Sequence, residues 1–427
     1  MTVVDKNAFV FDPWNVSWRT NDTEETLGEL LENRPIFLTD AGQYVVSRYD
    51  DVREIMSNAE LFSAKPNQSE AIGFPPKIDE SADPAMLERL MMVVASLPFD
   101  VGEFAAASVI VGVDPPVHTR LRRIVNRGFL PTKMAALAPT VEAIVAECLK
   151  DINSTDSFEV MSELAVPVPI RVIAEILGVE RQHCDDLKRW SDVLSTCVHG
   201  ESRGTIESGI NLVAMLSEFA GLFMPMIEER RNAPSDDVIS EIIKASEADT
   251  LTVAEAVLFL LILMAAANET TTSLIGNAIP YLCENPEQLK LLIDQPDLLG
   301  GVVEETLRLS SPVQFVFREA TADVTLQGVT IPQGSQLVCF IAAANRDPRQ
   351  FPDPHRFDIT RKGQHLSFGH GAHFCLGAAL GRLEGHAALK QIAPSLSHFD
   401  FDNSNLHLDP SAFTRSFEVV RLTKVNN

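Results

Sequence analysis

The chain has 427 residues, 45% of them hydrophobic, and a formal net charge of −24 at pH 7. That length and apolar content support a large buried core, and the acidity argues against nucleic acid as a partner. Six cysteines are too few for a disulfide scaffold.

The polar N-terminal segment predicts a short helix over residues 24–31. Residues 35–49 alternate around Gly42 and read as a β-hairpin, followed by a helix over 50–58. Residues 60–113 are mixed and take no assignment; they hold an apolar, methionine-bearing stretch at 87–99. A helix over 115–129 starts on prolines, where they are tolerated. Helical periodicity runs from 133 to 244, broken by Pro167, Pro169 and a loop at 201–204. Thr252 with Glu255 three residues later makes a capping box and opens a long helix through Leu282. A helix over 298–309, sheet over 314–339 with turns at Gly328 and Gly334, a helix over 376–390 and a final strand pair over 413–422 complete the reading. The balance is mainly α with small β-sheets, without linker, repeat or low-complexity stretch. The longest apolar run, residues 256–267, is short for a bilayer. The N-terminus has no signal-peptide pattern, so a cytoplasmic protein without membrane insertion is expected.

Residues 368–377 concentrate the chemistry. Cys375 stands in a glycine-punctuated loop at the start of a helix, where orphan N–H groups and the helix dipole favour a thiolate. A thiolate suits haem iron as an electron-donating axial ligand. Gly369, Gly371 and Gly377 let the backbone turn and lie close to a flat macrocycle, and Phe368 can cover the sulfur. The other cysteines, Cys148, Cys184, Cys197, Cys283 and Cys339, read as small buried hydrophobes. In the long helix, Ala266-Ala267-Asn268-Glu269-Thr270-Thr271 sets an acid beside an alcohol in apolar surroundings. Such a pair is costly without partners or purpose and suits a proton relay. Glu305 and Arg308 share a helix face at i,i+3, as do His118 and Arg122 at i,i+4.

The spacing F-G-x-G-x-H-x-C-x-G resembles the haem-binding loop of the cytochrome P450 family, and the resemblance extends from the hairpin at residue 35 to the C-terminal strands. It implies a single cytochrome P450 catalytic domain over 1–427, with no membrane anchor and no fused reductase. It implies haem b held by the Cys375 thiolate, between the long central helix and the cysteine-loop helix, with O2 as co-substrate. The 266–271 block resembles the family's A-G-x-[DE]-T-T element, except that Ala267 stands where glycine is common. Glu269 and Thr270 then handle protons. The pair argues against the peroxygenase branch, which carries an arginine there. Glu305 and Arg308, with Phe351-Pro352-Asp353-Pro354-His355-Arg356-Phe357 downstream, resemble the E-x-x-R and P-x-R-F core, in which Arg356 joins the pair. His118, Arg122, Arg318 and His373 match positions that bind the haem propionates; the remaining histidines are left as structural or solvated.

The activity implied is insertion of one oxygen atom into a lipophilic small molecule. Electrons come from a separate ferredoxin and ferredoxin reductase, docking on a basic patch of Arg123, Arg127, Lys362 and Arg382. The alternatives are a peroxide-driven or rearranging haem-thiolate enzyme, or a non-catalytic haem sensor. Pocket candidates are a loop over the haem at 90–99, then Leu263, Ala266, Ala267, Val313, Phe315, Val316 and Phe413. They carry no anchor charge, so an uncharged or weakly polar lipophile is expected. A monomer is expected.

Overall fold

Gly42 takes a left-handed backbone (φ 82°). It closes the turn between β1 (Ile36–Leu38) and β2 (Tyr44–Val46), which pair antiparallel with Ile36 opposite Val46. The structure is a computed structural model and describes residues 9–20, 23–67, 83–99, 102, 107–126, 128–200, 202–235, 237–249, 252–401, 403 and 406–425. Helix α1 (Tyr49–Ser57) and strand β3 (Phe62–Ser63) follow. In the stretch left unassigned by sequence, α2 (Pro84–Ala95) begins on Asp83, whose side chain accepts from the Ala85 N–H. Residues 90–95, read as loop, therefore belong to a helix, and it packs on α6 described below.

Next come α3 (Val117–Asn126), α4 (Pro167–Leu177), α5 (Cys184–His199) and α6 (Ile206–Asn232). Pro167 opens α4 rather than breaking a helix, because the first helical position needs no N–H donor. The capping box starts α7 (Val253–Glu284): the Thr252 hydroxyl accepts from the Glu255 N–H, and the Glu255 carboxylate accepts from the Thr252 N–H, both at 3.1 Å. Then follow α8 (Leu299–Leu309), β4 (Val316–Ala320), β5 (Gln336–Cys339) and α9 (Ala378–Leu396).

The five strands form one sheet in the order β1-β2-β5-β4-β3, with β2 and β5 parallel and the other pairs antiparallel. Helix α7 threads the main core, with Val257, Met264, Ile275, Ala278 and Ile279 fully buried among residues of α4, α5, α6, α8 and α9. By length and composition α6 and α7 are each apolar enough to cross a bilayer; half of each one's most apolar window is buried within the protein.

Two expectations change. The strands at 413–422 do not pair with each other. Phe417–Val419 pairs with His407–Leu408, while Arg421–Lys424 lies between Ser157–Glu159 and Phe399–Phe401. The strand at 157–159 also interrupts the stretch from 133 to 244, where helical periodicity was expected to break only at Pro167, Pro169 and the 201–204 loop. The two ends of the chain meet as well. Buried Arg19 donates to the Thr414 carbonyl at 2.7 Å and to the Ser411 carbonyl, and Trp14 packs edge-on against Phe315 at 5.1 Å between ring centroids.

Candidate active site

The cysteine loop is shaped by its glycines. Gly369 and Gly371 take left-handed backbone (φ 71° and 70°), and the Cys375 N–H donates to the Phe368 carbonyl at 2.8 Å. A Cβ at Gly371 would lie 2.8 Å from the Met56 carbonyl oxygen and the Ser57 Cα, so this glycine lets the loop seat on the end of α1. A Cβ at Gly377 would meet nothing within 4 Å, which leaves the backbone beside the sulfur open to a flat group. Burial pushes the Cys375 thiol up; the Gly377 N–H and the positive Arg122 and Arg382 pull it the other way.

A buried brace holds this loop. Arg308 donates Nε and Nη2 to the two Glu305 oxygens at 2.7 and 2.8 Å, with both side chains at most 3% exposed. The arginine that completes the set is Arg361, whose Nε reaches Glu305 at 2.9 Å. Arg356, the motif's choice, is corrected here. Its side chain is exposed, and only its carbonyl takes part, accepting from Arg308 at 3.2 Å and from Arg361 at 3.1 Å. The Arg356 N–H closes a turn onto Asp353, and the chain returns its guanidinium to Glu305 only after the next turn. From the brace a hydrogen-bonded path runs to the cysteine loop. Arg308 donates to the Asn345 carbonyl at 2.9 Å, and the Asn345 amide group donates to Ser367 Oγ and accepts from the Leu366 N–H, each at 2.8 Å.

His118, Arg122, Arg318 and His373 converge from α3, β4 and the loop. The two imidazole rings lie 4.2 Å apart between centroids. Nε2 of each is buried without a hydrogen-bond partner. Burial and the neighbouring Arg318, His118 and Arg122 push His373 down to about 3. Burial and Arg122 also lower His118, against Asp114. Asp114 is held elsewhere, by Ser63 Oγ and the Ala64 N–H. Among the described residues the two arginines have no ion-pair partner and the two imidazole nitrogens no hydrogen-bond partner, an arrangement that fits a bound dianion such as a pair of propionates.

On the opposite side, α5 crosses α7. Asn268 donates to Ser191 Oγ at 2.9 Å. Burial raises the Glu269 carboxyl to about 7, opposed by a hydrogen bond from Ser195 and reinforced by Asp192 and Asp409, with Lys188 nearby. Thr270 donates its hydroxyl to the Ala266 carbonyl at 2.7 Å. Leu263, Ala266, Ala267 and Thr270 recur at spacings of three and four; Ala266 is exposed, and Ala267 and Thr270 are partly so, on a helix otherwise largely buried. Val313 is partly exposed beside Thr414, with which it forms an isolated β-bridge. Val316 packs with the sheet-side core. Phe315 is corrected: it is fully buried between Trp14, Phe317 and Phe413, and so backs the wall rather than lining it.

The basic patch is only partly assembled. Arg127 lies outside the described residues, while Arg123 and Lys362 are exposed. Arg382 is held by Glu304 in a two-pronged pair at 2.7 and 2.8 Å, and its guanidinium lies 4.4 Å from the centre of the Phe368 ring. Burial would raise Glu304, but Arg382 and His365 bring it down to about 2. Arg361, Glu304 and Ser195 escaped the sequence reading. Only Glu304, next to Glu305 in a conspicuous motif, carried a local signal.

The family model for cytochrome P450 matches residues 207–425. The chain is 34% identical to the 6-deoxyerythronolide B hydroxylase of Saccharopolyspora erythraea, over 89% of each chain. It is also 34% identical to the vitamin D(3) 25-hydroxylase of Pseudonocardia autotrophica, over 81% of this chain and 80% of that one. The structure of CYP109E1 from Bacillus megaterium in complex with testosterone superposes with a TM-score of 0.78 at 30% identity, covering 96% of this chain and 99% of the other. The chain therefore belongs to the cytochrome P450 family and is a monooxygenase using haem, a cysteine-thiolate iron ligand and dioxygen.

Proposed function

We propose that this monooxygenase hydroxylates an uncharged or weakly polar lipophile, with electrons from a separate ferredoxin and its reductase. The observation that carries this reading is the uncharged stripe of Leu263, Ala266, Ala267 and Thr270 on α7, along which Ala266 is exposed and Ala267 and Thr270 are partly so. Two relatives named as hydroxylases, of 6-deoxyerythronolide B and of vitamin D(3), and the testosterone complex are in keeping with it. Haem held by Cys375 supplies the oxygen-activating chemistry.

The protein residues divide the remaining tasks. His118, Arg122, Arg318 and His373 hold the propionates. Phe368 shields the sulfur, and the Gly377 N–H bonds to it. Glu269, raised to about 7, can both hold and release a proton near neutral pH. It takes that proton from the α5 surface through Ser195 and hands it toward Thr270. The exposed side chains of Arg123 and Lys362 are the proposed contacts for an acidic electron carrier.

The test is a ferric Soret titration against terpenoids, steroids, fatty acids and short aromatic acids, followed by turnover with a ferredoxin chain. High-spin shifts confined to the uncharged lipophiles support the reading. Tightest binding by a short charged acid overturns the substrate class, and turnover with peroxide but not with a ferredoxin chain overturns the electron source.

A further inference from the structure

Helix α5 presents Ser191, Ser195 and His199 at successive spacings of four, one stripe on its surface. The first two engage α7: Ser191 meets Asn268 and Ser195 meets Glu269. His199 is one turn further along the stripe, at the last residue of the helix. Its ring stacks on Phe413 with centroids 4.0 Å apart and planes 14° from parallel. Phe413 in turn rests edge-on against Phe315 at 5.6 Å and bonds through its carbonyl to the Gln314 N–H at 2.9 Å. The imidazole thus stands where the α5 end meets the C-terminal hairpin, on the same stripe as the contacts to Asn268 and Glu269. Its Nδ1 is buried and has no hydrogen-bond partner among the described residues. Burial and Arg203 push the ring down to about 3, so it is neutral at physiological pH. Arg203 itself lies over Trp14, 3.4 Å from the ring centre.

A buried polar nitrogen without a partner is costly, and the surrounding aromatic contacts do not satisfy it. We infer that His199 is a specificity-determining residue whose Nδ1 hydrogen-bonds one uncharged oxygen, hydroxyl or ketone, at the end of the substrate remote from the carbon that is hydroxylated. This rests on the lipophile reading above and narrows it. A neutral imidazole serves either oxygen by choice of tautomer, accepting from a hydroxyl or donating to a carbonyl. A carboxylate gains no ion pair from a neutral ring. Phe413 flanks the ring and fixes its plane, so the bond is directional.

The test compares spin-shift Kd values for p-menthane, menthol and menthone, and for androstane and androsterone, on the haem-loaded protein and two variants. His199→Phe keeps an aromatic ring against Phe413 and removes the nitrogen; His199→Asn returns a polar amide. In the unaltered protein, the preference for the oxygenated member over its hydrocarbon should exceed that of His199→Phe by about tenfold, one hydrogen bond's worth of discrimination. His199→Asn should recover part of it, and hydrocarbon Kd values should stay within about twofold across all three proteins. An unchanged preference in His199→Phe overturns the inference and leaves the lipophile reading standing. Absence of any spin shift from all five ligands in the unaltered protein overturns both. If His199→Phe fails to bind haem, His199→Leu takes its place: an unchanged preference in His199→Leu overturns the inference, and its loss supports it.

Discussion

The cysteine-loop side and the α7 side of this site treat their polar groups in opposite ways. Under the loop, Glu305 accepts from both nitrogens of the Arg308 fork, from Arg361 and from the Asp358 N–H. Asn345 carries that order into Leu366 and Ser367. Across the site, Thr270 bonds to its own helix, Glu269 is raised by burial and His199 keeps an unpartnered nitrogen. A saturated network fixes geometry; unsatisfied groups retain the capacity to bind or move a proton. The first side is built to stay still and the second to respond.

Breaking the saturated side should have the largest effect. Glu305→Ala leaves Arg308 and Arg361 buried without their carboxylate, which should cost about 3–5 kcal/mol of stability, read by urea unfolding, with loss of the Soret band. On the responsive side, Glu269→Gln should lower turnover by roughly a hundredfold while leaving haem content unchanged. The same substitution tests the electrostatics. Glu269 rises from 4.5 to about 7 on folding, so the folded state favours the protonated form. The unaltered protein should lose about 2 kcal/mol relative to Glu269→Gln as pH climbs from about 5 to 8. A difference that is flat with pH would contradict the burial of this carboxyl.

Glu304 has the opposite sign. Its depressed value, about 2, stabilises the fold above the ordinary carboxylate range and is lost as pH falls through 2. At 41% exposure screening trims the effect, so Glu304→Gln should cost about 1 kcal/mol at neutral pH. The smallest effect distinguishes the two arginines of the brace. Arg356→Ala should stay within about 0.5 kcal/mol of the unaltered protein, whereas Arg361→Ala exposes the Glu305 charge. Equal losses would restore the motif's assignment.

What could be read from sequence was what is local. The cysteine loop is ten consecutive residues whose glycines and cysteine act together, and the Glu305–Arg308 pair lies within one helical turn. The capping box at Thr252 is equally local. Arg361 was invisible because its role depends on how residues 345–367 wrap back on α8. His199 was left as structural or solvated because nothing near it in sequence foretells a stack on Phe413. The strands of 413–422 were recognisable as extended chain, but their partners at 157–159, 399–401 and 407–408 are set by long-range register, which no local period encodes.

The meeting of the two chain ends has a consequence for how the protein is made. Trp14 and Arg19 dock on Phe315, Thr414 and Ser411, residues the ribosome delivers late. Residues 14–19 therefore reach these neighbours only across a long sequence separation, the kind of contact that is slow to close.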